Sequence, residues 1–419
     1  MWIVVAVVGT VIVVLVLLNL TSSEKKLKHQ PSHLYPAGGE QFVRTMGTLL
    51  GPAILPGNRV EVLCNGDEIF PAMLAALRSA ERTITFETFI YWSGEIGKAV
   101  GAALEERARA GVKVHVLLDW VGTGRMDAAI IKSLEGAGVE VVKYHRLRWY
   151  NLGRLNNRTH RKLLIVDGKV GFTGGVGIAD NWLGNAQDPD HWRDSHFRVE
   201  GPVVAQMQAA FMDNWIEERS LVLQGGEYFP KLDAVGPQAA QLFKSSSTEA
   251  SESVRLMYLL SIAAATRSVR IASAYFVPDA LSVATLVAAQ RRGVQVEIIV
   301  PGRHTDAAVV RRASRSRWGP MLEAGVAIYE YQPTMYHTKV MIVDQVWTTV
   351  GSTNFDNRSF RLNDEANLNI LDADSARGQV QMFEQDRANS RQFALEMWRS
   401  RPRREKLKDR LAGLFRLQL

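Results

Sequence analysis

The 419-residue chain has a single cysteine, Cys64, which excludes an intramolecular disulfide and any multi-cysteine zinc centre. That scarcity fits a reducing compartment, and Cys64 itself reads as a small buried residue in a strand. Charge is missing altogether from Met1 to Leu20, a stretch that is almost wholly Val, Ile and Leu. A secretory signal carries a basic leading region and a small-residue cleavage site. Neither is present, so the stretch reads as a retained transmembrane anchor. As a helix it would be about 30 Å long, the thickness of the hydrocarbon core. No Lys or Arg precedes it, and Lys25, Lys26 and Lys28 follow. The positive-inside rule then predicts a single-pass protein of the cytoplasmic (inner) membrane with its body in the cytoplasm. Acidic residues fall short of basic ones, giving a net charge of +7 and a pI of about 9.4. Anionic partners are therefore favoured: lipid head groups, nucleic acid or phosphorylated substrates.

The length suits two lobes rather than one small core. Residues 21–57 are rich in Pro and Gly and read as a juxtamembrane connector, in which Phe42, Met46, Leu49 and Leu50 could lie as one apolar face on the bilayer. From residue 58 a strand–helix pattern runs through once and then repeats. Strands are predicted over 60–64, 83–92, 112–118 and 139–144, with helices over 69–80, 96–110 and 126–135. The second pass predicts strands over 241–245, 269–276, 294–300 and 326–331, with helices over 254–264, 281–291 and 307–322. A further helix is expected over 376–398. Ala110-Gly111-Val112 answers Arg292-Gly293-Val294, and Ala137-Gly138-Val139 answers Ala324-Gly325-Val326. The fold class is thus α/β, in two duplicated lobes, 58–222 and 238–400, related by pseudo-two-fold symmetry. Residues 223–237 join them, and 401–419 form a basic amphipathic tail suited to an anionic bilayer. An insertion carrying Arg146, Arg148, Trp149, Tyr150 and Arg154 sits only in the first lobe.

The chemistry lies in one pattern written twice, H-x-K-x4-D-x6-G-G/S. It runs from His160 through Lys162 and Asp167 to Gly174-Gly175, and again from His337 through Lys339 and Asp344 to Gly351-Ser352. Residues two apart on a strand share a face, so each histidine and its lysine point the same way. Asp167 and Asp344 fall an odd number of residues away and read as structural groups at the strand ends. If the lobes pack about their pseudo-axis, two His–Lys pairs meet in one cleft. Such a cleft can break a phosphodiester without a metal or other cofactor. One neutral imidazole attacks phosphorus and the other, protonated, serves the leaving alkoxide. The lysines grip the non-bridging oxygens, the glycines Gly174 and Gly175 bring backbone N–H groups close, and Ser352 and Asn354 add donors. Asp194 and Glu365, in the strands that follow the motifs, can hold the histidines' other nitrogens. The acidic run Gln187 to His191 reads as a solvated turn, not a metal site.

These motifs resemble the phospholipase D superfamily, and the words Phe86-Glu87-Thr88-Phe89-Ile90-Tyr91, Ala274-Tyr275-Phe276-Val277-Pro278-Asp279 and Asn354-Phe355-Asp356-Asn357-Arg358 narrow the likeness to bacterial cardiolipin synthases. The resemblance implies a phospholipase D-like fold and a membrane-anchored phosphatidyltransferase. His160 would form a phosphohistidine and His337 would serve as acid, then base. Lys162, Lys339 and Asn354 would bind phosphate, with Asp194 and Glu365 orienting the histidines. Anionic phospholipid, phosphatidylglycerol above all, is the implied substrate. The alternatives are a phospholipase D that uses water and a non-catalytic lipid-binding membrane protein. No nucleic-acid partner is expected, because an anchor serves nuclease work poorly. In one place the pattern departs: Gly177 stands where the family commonly has asparagine.

Overall fold

The computed structural model describes residues 2, 9–10, 27–146, 156–246, 253–415 and 418. Among these no helix is long and apolar enough to cross a membrane. Nearly all of the expected anchor, and Arg148 to Arg154 of the insertion, lie outside the described residues.

The first half of the chain supplies strands β1 (Leu55–Cys64), β2 (Thr83–Thr88), β3 (Lys113–Asp119), β4 (Glu140–Tyr144), β5 (Arg158–Thr159), β6 (Leu163–Val166), β7 (Val170–Gly174) and β8 (Ser195–Glu200). The second half supplies β9 (Gln238–Ser245), β10 (Ser268–Ser273), β11 (Phe276–Val277), β12 (Gln295–Pro301), β13 (Ala327–Tyr331), β14 (Lys339–Val343), β15 (Trp347–Gly351), β16 (Phe355–Asp356), β17 (Asn363–Leu371) and β18 (Ser390–Gln392). All but β11 and β16 join one sheet, ordered β18-β13-β12-β10-β14-β15-β17-β9-β1-β8-β7-β6-β2-β3-β4, with β5 beside β17. Read outward from the antiparallel β9–β1 pair, the two sides follow the same sequence. β9, β17, β15, β14, β10, β12 and β13 answer β1, β8, β7, β6, β2, β3 and β4. A pseudo-two-fold axis therefore passes between β1 and β9.

The outer strands of each half, β2–β3–β4 and β10–β12–β13, pair in parallel and are linked by helices. Helices cover the sheet, so its inner strands are buried on both faces, β6 and, beyond Lys339, β14 as apolar runs and β2 and β10 although polar and apolar residues alternate along them. Every residue of β2, β6, β10 and β14 is buried. The repeated Gly111 and Gly293 both have φ +90°, and Gly138 and Gly325 +95° and +94°. Each ends a helix in the left-handed conformation, where a Cβ is unfavourable, and turns the chain into the next strand.

Three expectations are corrected. The apolar residues assigned to the bilayer are split: helix Glu40–Leu49 buries Phe42 and Met46 in the core, with Phe42 edge-on to Trp347 at 5.0 Å, and leaves Leu49 exposed. The segment 307–322 is two helices, Ala308–Ser316 and Gly319–Glu323, because Pro320 cannot extend the first and starts the second. The segment 376–398 is helix Ala373–Ala388, strand β18 and helix Leu395–Ser400. There β18 covers the otherwise open edge of β13, overriding the local helical pattern.

Candidate active site

The motif histidines precede short strands at the middle of each half-sheet, and each is tied to the opposite half. The His160 N–H donates to the Asp364 carbonyl at 2.9 Å, and the His337 N–H to the Arg193 carbonyl at 2.8 Å. Strand β5 pairs in parallel with β17, and Tyr336 bridges Arg193 in the equivalent way. This backbone crossing aligns each ring with a carboxylate from the other half. His160 Nδ1 lies 3.0 Å from both Glu365 oxygens, and His337 Nδ1 lies 2.6 Å from Asp194 Oδ2. The pairing thus runs first-half histidine to second-half carboxylate, and the reverse.

The electrostatics fix the tautomers. Burial alone would raise the Glu365 pKa, but His160, Lys162 and the Ser352 hydroxyl hold it at about 2. Burial likewise opposes ionisation of Asp194, but His337 and Lys339 keep its pKa below the ordinary carboxylate value. Both carboxylates are charged and accept only, so each Nδ1 carries the proton and each Nε2 keeps its lone pair. Burial pushes His160 down to about 4, against the pull of Glu365, and lowers His337, with Lys339 adding to the shift. The lysines are also buried: desolvation brings Lys162 to about 7 and Lys339 to about 8. The field of each half reaches the other, since Lys339 depresses His160 and Glu365 acts on Lys339.

The halves are not equal. Ser352 Oγ donates to Glu365 at 2.5 Å, whereas at the matching position a Cβ on Gly175 would stand 2.3 Å from Asp194 Oδ1. Glycine there makes room for the shorter carboxylate, and the Trp182 indole N–H supplies the missing donor at 3.0 Å. Lys339 Nζ sits 3.0 and 3.2 Å from the His337 ring nitrogens, while no described residue hydrogen-bonds His160 Nε2. A Cβ on Gly177 would lie 2.9 Å from Ile90 Cβ and 3.2 Å from Trp182, so an asparagine does not fit without displacing them. On the other side Asn354 is buried, its N–H held by Ser359 and its Oδ1 without a partner among the described residues. Gly174 and Gly351 sit at matching strand ends with φ +155° and +154°.

The motif aspartates lie at the far end of their strands from the lysines. Asp167 accepts the N–H groups of Glu81, Arg82 and Thr83 at 2.8–2.9 Å, and Asp344 those of Thr266, Arg267 and Ser268 at 2.7–2.9 Å. They cap the entry to β2 and β10. Among the described residues no group of three or more His, Cys, Asp or Glu could hold a metal.

Sequence reasoning missed the aromatic walls: Phe89 stands 5.3 Å from the His160 ring, and Trp182 and Trp192 stand 5.2 and 5.4 Å from His337. It also missed two buried arginines, one inside the first motif and one next to Asp194. Arg161 ties helix Val204–Arg219 to β9 through Ala210, Asp213 and Ser245, and Arg193 grips Asp386 of helix Ala373–Ala388. The signal for Arg161 was visible, a charged residue between two residues that face the site.

A family model described as "Cardiolipin synthase, PLD-like domain" matches residues 73–215 and 258–387, one segment in each half of the sheet. The chain belongs to that family. It is 37% identical to cardiolipin synthase A of Pseudomonas fluorescens, over 89% of this chain and 78% of the relative. It is 35% identical to the cardiolipin synthase of Geobacillus kaustophilus, over 85% and 72%. Among solved structures, a phosphatidylserine synthase from Haemophilus influenzae superposes with a TM-score of 0.68 at 14% identity, covering 90% of this chain and all of that one. A polyphosphate kinase from Porphyromonas gingivalis gives 0.55 at 10% identity, over 81% and 49%. These two share the fold of the cardiolipin synthase family member described here, and at such identities the likeness speaks to the fold alone.

Proposed function

We propose that the chain is a membrane-anchored phosphatidyltransferase that makes cardiolipin through a phosphohistidine. The observation that carries the mechanism is the crossed pair of buried His–carboxylate dyads with unequal Nε2 environments. His160 is neutral near pH 7 and its Nε2 is open, which suits the nucleophile. Its lone pair attacks phosphorus of a phosphatidylglycerol, forming a P–N bond as the P–O bond to glycerol breaks. His337, protonated when the phosphodiester anion enters beside it, passes its Nε2 proton to the leaving glycerol oxygen. In the second step His337 takes the proton of a glycerol hydroxyl on another phospholipid. That oxygen attacks phosphorus and the P–N bond breaks. Lys162 and Lys339 hold the non-bridging oxygens. At an effective dielectric near 20, each ammonium about 4 Å from the anion contributes about 4 kcal/mol before desolvation. The buried Oδ1 of Asn354 leaves its NH₂ group as the remaining donor on that side, while Gly177 offers only backbone on the other.

The units 58–222 and 238–400 act as the two lobes of this site, and residues 1–20 hold it to the inner membrane with the lobes in the cytoplasm. Reporter fusions at both ends test that topology: an extracytoplasmic carboxy terminus sinks it. For activity, the purified chain is incubated with phosphatidylglycerol vesicles and chelator, and products are read by mass spectrometry. Cardiolipin with equimolar glycerol supports the transferase, and phosphatidic acid alone supports the hydrolase. No turnover on any phospholipid refutes both.

A further inference from the structure

Outside the site, basic residues crowd where the carboxy-terminal helix Arg403–Leu414 packs on helix Ala308–Ser316. The two approach closely because the contact face is small. Ala412 is buried against Val310 and Ala313, and a Cβ on Gly413 would stand 2.9 Å from Ser316 Oγ. Beside this seam opens a cleft of about 300 Å³ lined by Arg303, Arg311, Arg312, Arg315, Arg404 and Lys408, against only two acids, Glu405 and Asp409. Arg311 and Arg315 share one carboxylate, Glu330 Oε1, at 2.8 Å each, and among the described residues their buried Nε–H groups have no acceptor. Cations thus outnumber their partners in a partly desolvated space.

The outward face of the same helix is apolar. Leu407, Leu411, Leu414 and Phe415 recur at helical spacing and are 59%, 51%, 71% and 62% exposed. A row of this kind, next to a cationic cleft, needs an occupant that is apolar and anionic at once. A second copy would bring its own cations against these. Beyond the helix, Gln418 is tied to the segments that lead into and out of the site. Gln418 bonds Asn156, four residues before His160, and its carbonyl accepts from Arg358, four residues after Asn354.

We propose that this cleft and row form an interfacial docking site for an anionic bilayer, in which the arginines receive a lipid headgroup phosphate while Leu407, Leu411, Leu414 and Phe415 enter the acyl boundary. Docked so, the membrane surface lies on the side of the molecule where Gln418 meets Asn156 and Arg358. The inference rests on the reading of phospholipid as substrate, and its test is therefore one that needs no turnover.

The full chain is reconstituted in vesicles of phosphatidylcholine alone or phosphatidylcholine with phosphatidylglycerol, and amide hydrogen exchange is followed over 403–415. Protection at least tenfold greater with phosphatidylglycerol, lost in Arg312→Glu/Lys408→Glu and in Leu411→Asp/Phe415→Asp, is the expected result. Each basic residue at such a surface contributes roughly fivefold in affinity. Exchange over 254–263 reports that the variants are folded. Equal exchange in both vesicles overturns the proposal, as does protection that follows protein concentration without lipid, which would mark a copy–copy interface. Protection equalled by free inorganic phosphate would reduce the site to an ion seat and also overturn it. Should the protection appear without any transferase activity, the docking site stands and the proposed function falls.

Discussion

Replacing Lys162 with methionine should abolish function and stabilise the protein. The ammonium is buried beside His160 and Lys339, and its pKa falls from 10.5 to about 7, chiefly through burial. Because the folded value lies below the unfolded one, the unfolded chain binds more protons between these limits. The penalty is fully present below about pH 7 and fades as pH rises through 10.5. At pH 7 the shift corresponds to about 4–5 kcal/mol at 1.36 kcal/mol per pKa unit. An unbranched apolar side chain fills the same channel without that cost. With 419 residues and an unfolding entropy of about 2.1 cal/mol/K per residue, Tm should rise by about 5 °C. Phosphate-free calorimetry from pH 6 to 10.5, with transferase activity at pH 7 alongside, makes the check. The variant should lose at least about 10²-fold in turnover, and its Tm advantage should shrink steadily with pH. An unchanged or lowered Tm at pH 6–7, or a difference flat in pH, refutes the view of Lys162 as a desolvated cation held for phosphate.

Glu365→Gln removes the charge that fixes the His160 tautomer and should lower kcat by about 10³–10⁴-fold with little change in KM, read by vesicle assay. Gly175→Ala places a Cβ on the Asp194 carboxylate and should cost about 10²-fold in kcat through misplacement of His337; wild-type turnover would contradict the crowding. The pH profile of kcat/KM should fall on the acid side well below 6.5, as His160 protonates near 4; on the alkaline side it should begin to fall below 6.5, as free His337 loses the proton it must donate, and fall more steeply from about 7–8 as Lys162 and Lys339 lose theirs. Activity still rising at pH 9 is incompatible with that assignment. Ser352→Ala strips a charge-assisted hydrogen bond from Glu365 and should destabilise the fold by about 1.5–3 kcal/mol in denaturant melts.

The duplicated architecture was legible because it is written locally. Apolar runs mark strands buried on both faces, and Gly111, Gly138, Gly293 and Gly325 punctuate helix ends at matching places. The facing of His160 with Lys162 follows from the two-residue period of a strand. What the pattern could not tell is which carboxylate meets which histidine. Glu365 lies 205 residues from His160, and Asp194 lies 143 from His337; that pairing is set by how β5 crosses to β17, which no local periodicity encodes. The same limit explains Phe42 and Met46, whose apolar stripe reads equally well against a bilayer or against Trp347. The break at Trp318 was signalled by Pro320, but the helical spacing on either side masked it. The loss of asparagine at Gly177 was visible in the sequence; its reason, the packing of Ile90 and Trp182, was not.

The central claim is that His160 attacks and His337 serves it across the two halves, each oriented by the other half's carboxylate. The most direct measurement is rapid mixing with phosphatidylglycerol vesicles, a quench in alkaline denaturant that preserves the phosphoramidate, and peptide mass spectrometry. The account predicts a phosphatidyl adduct on the peptide containing His160, absent in His160→Ala and persisting longer in His337→Ala. An adduct on His337, or turnover in His160→Ala at the wild-type rate, contradicts it.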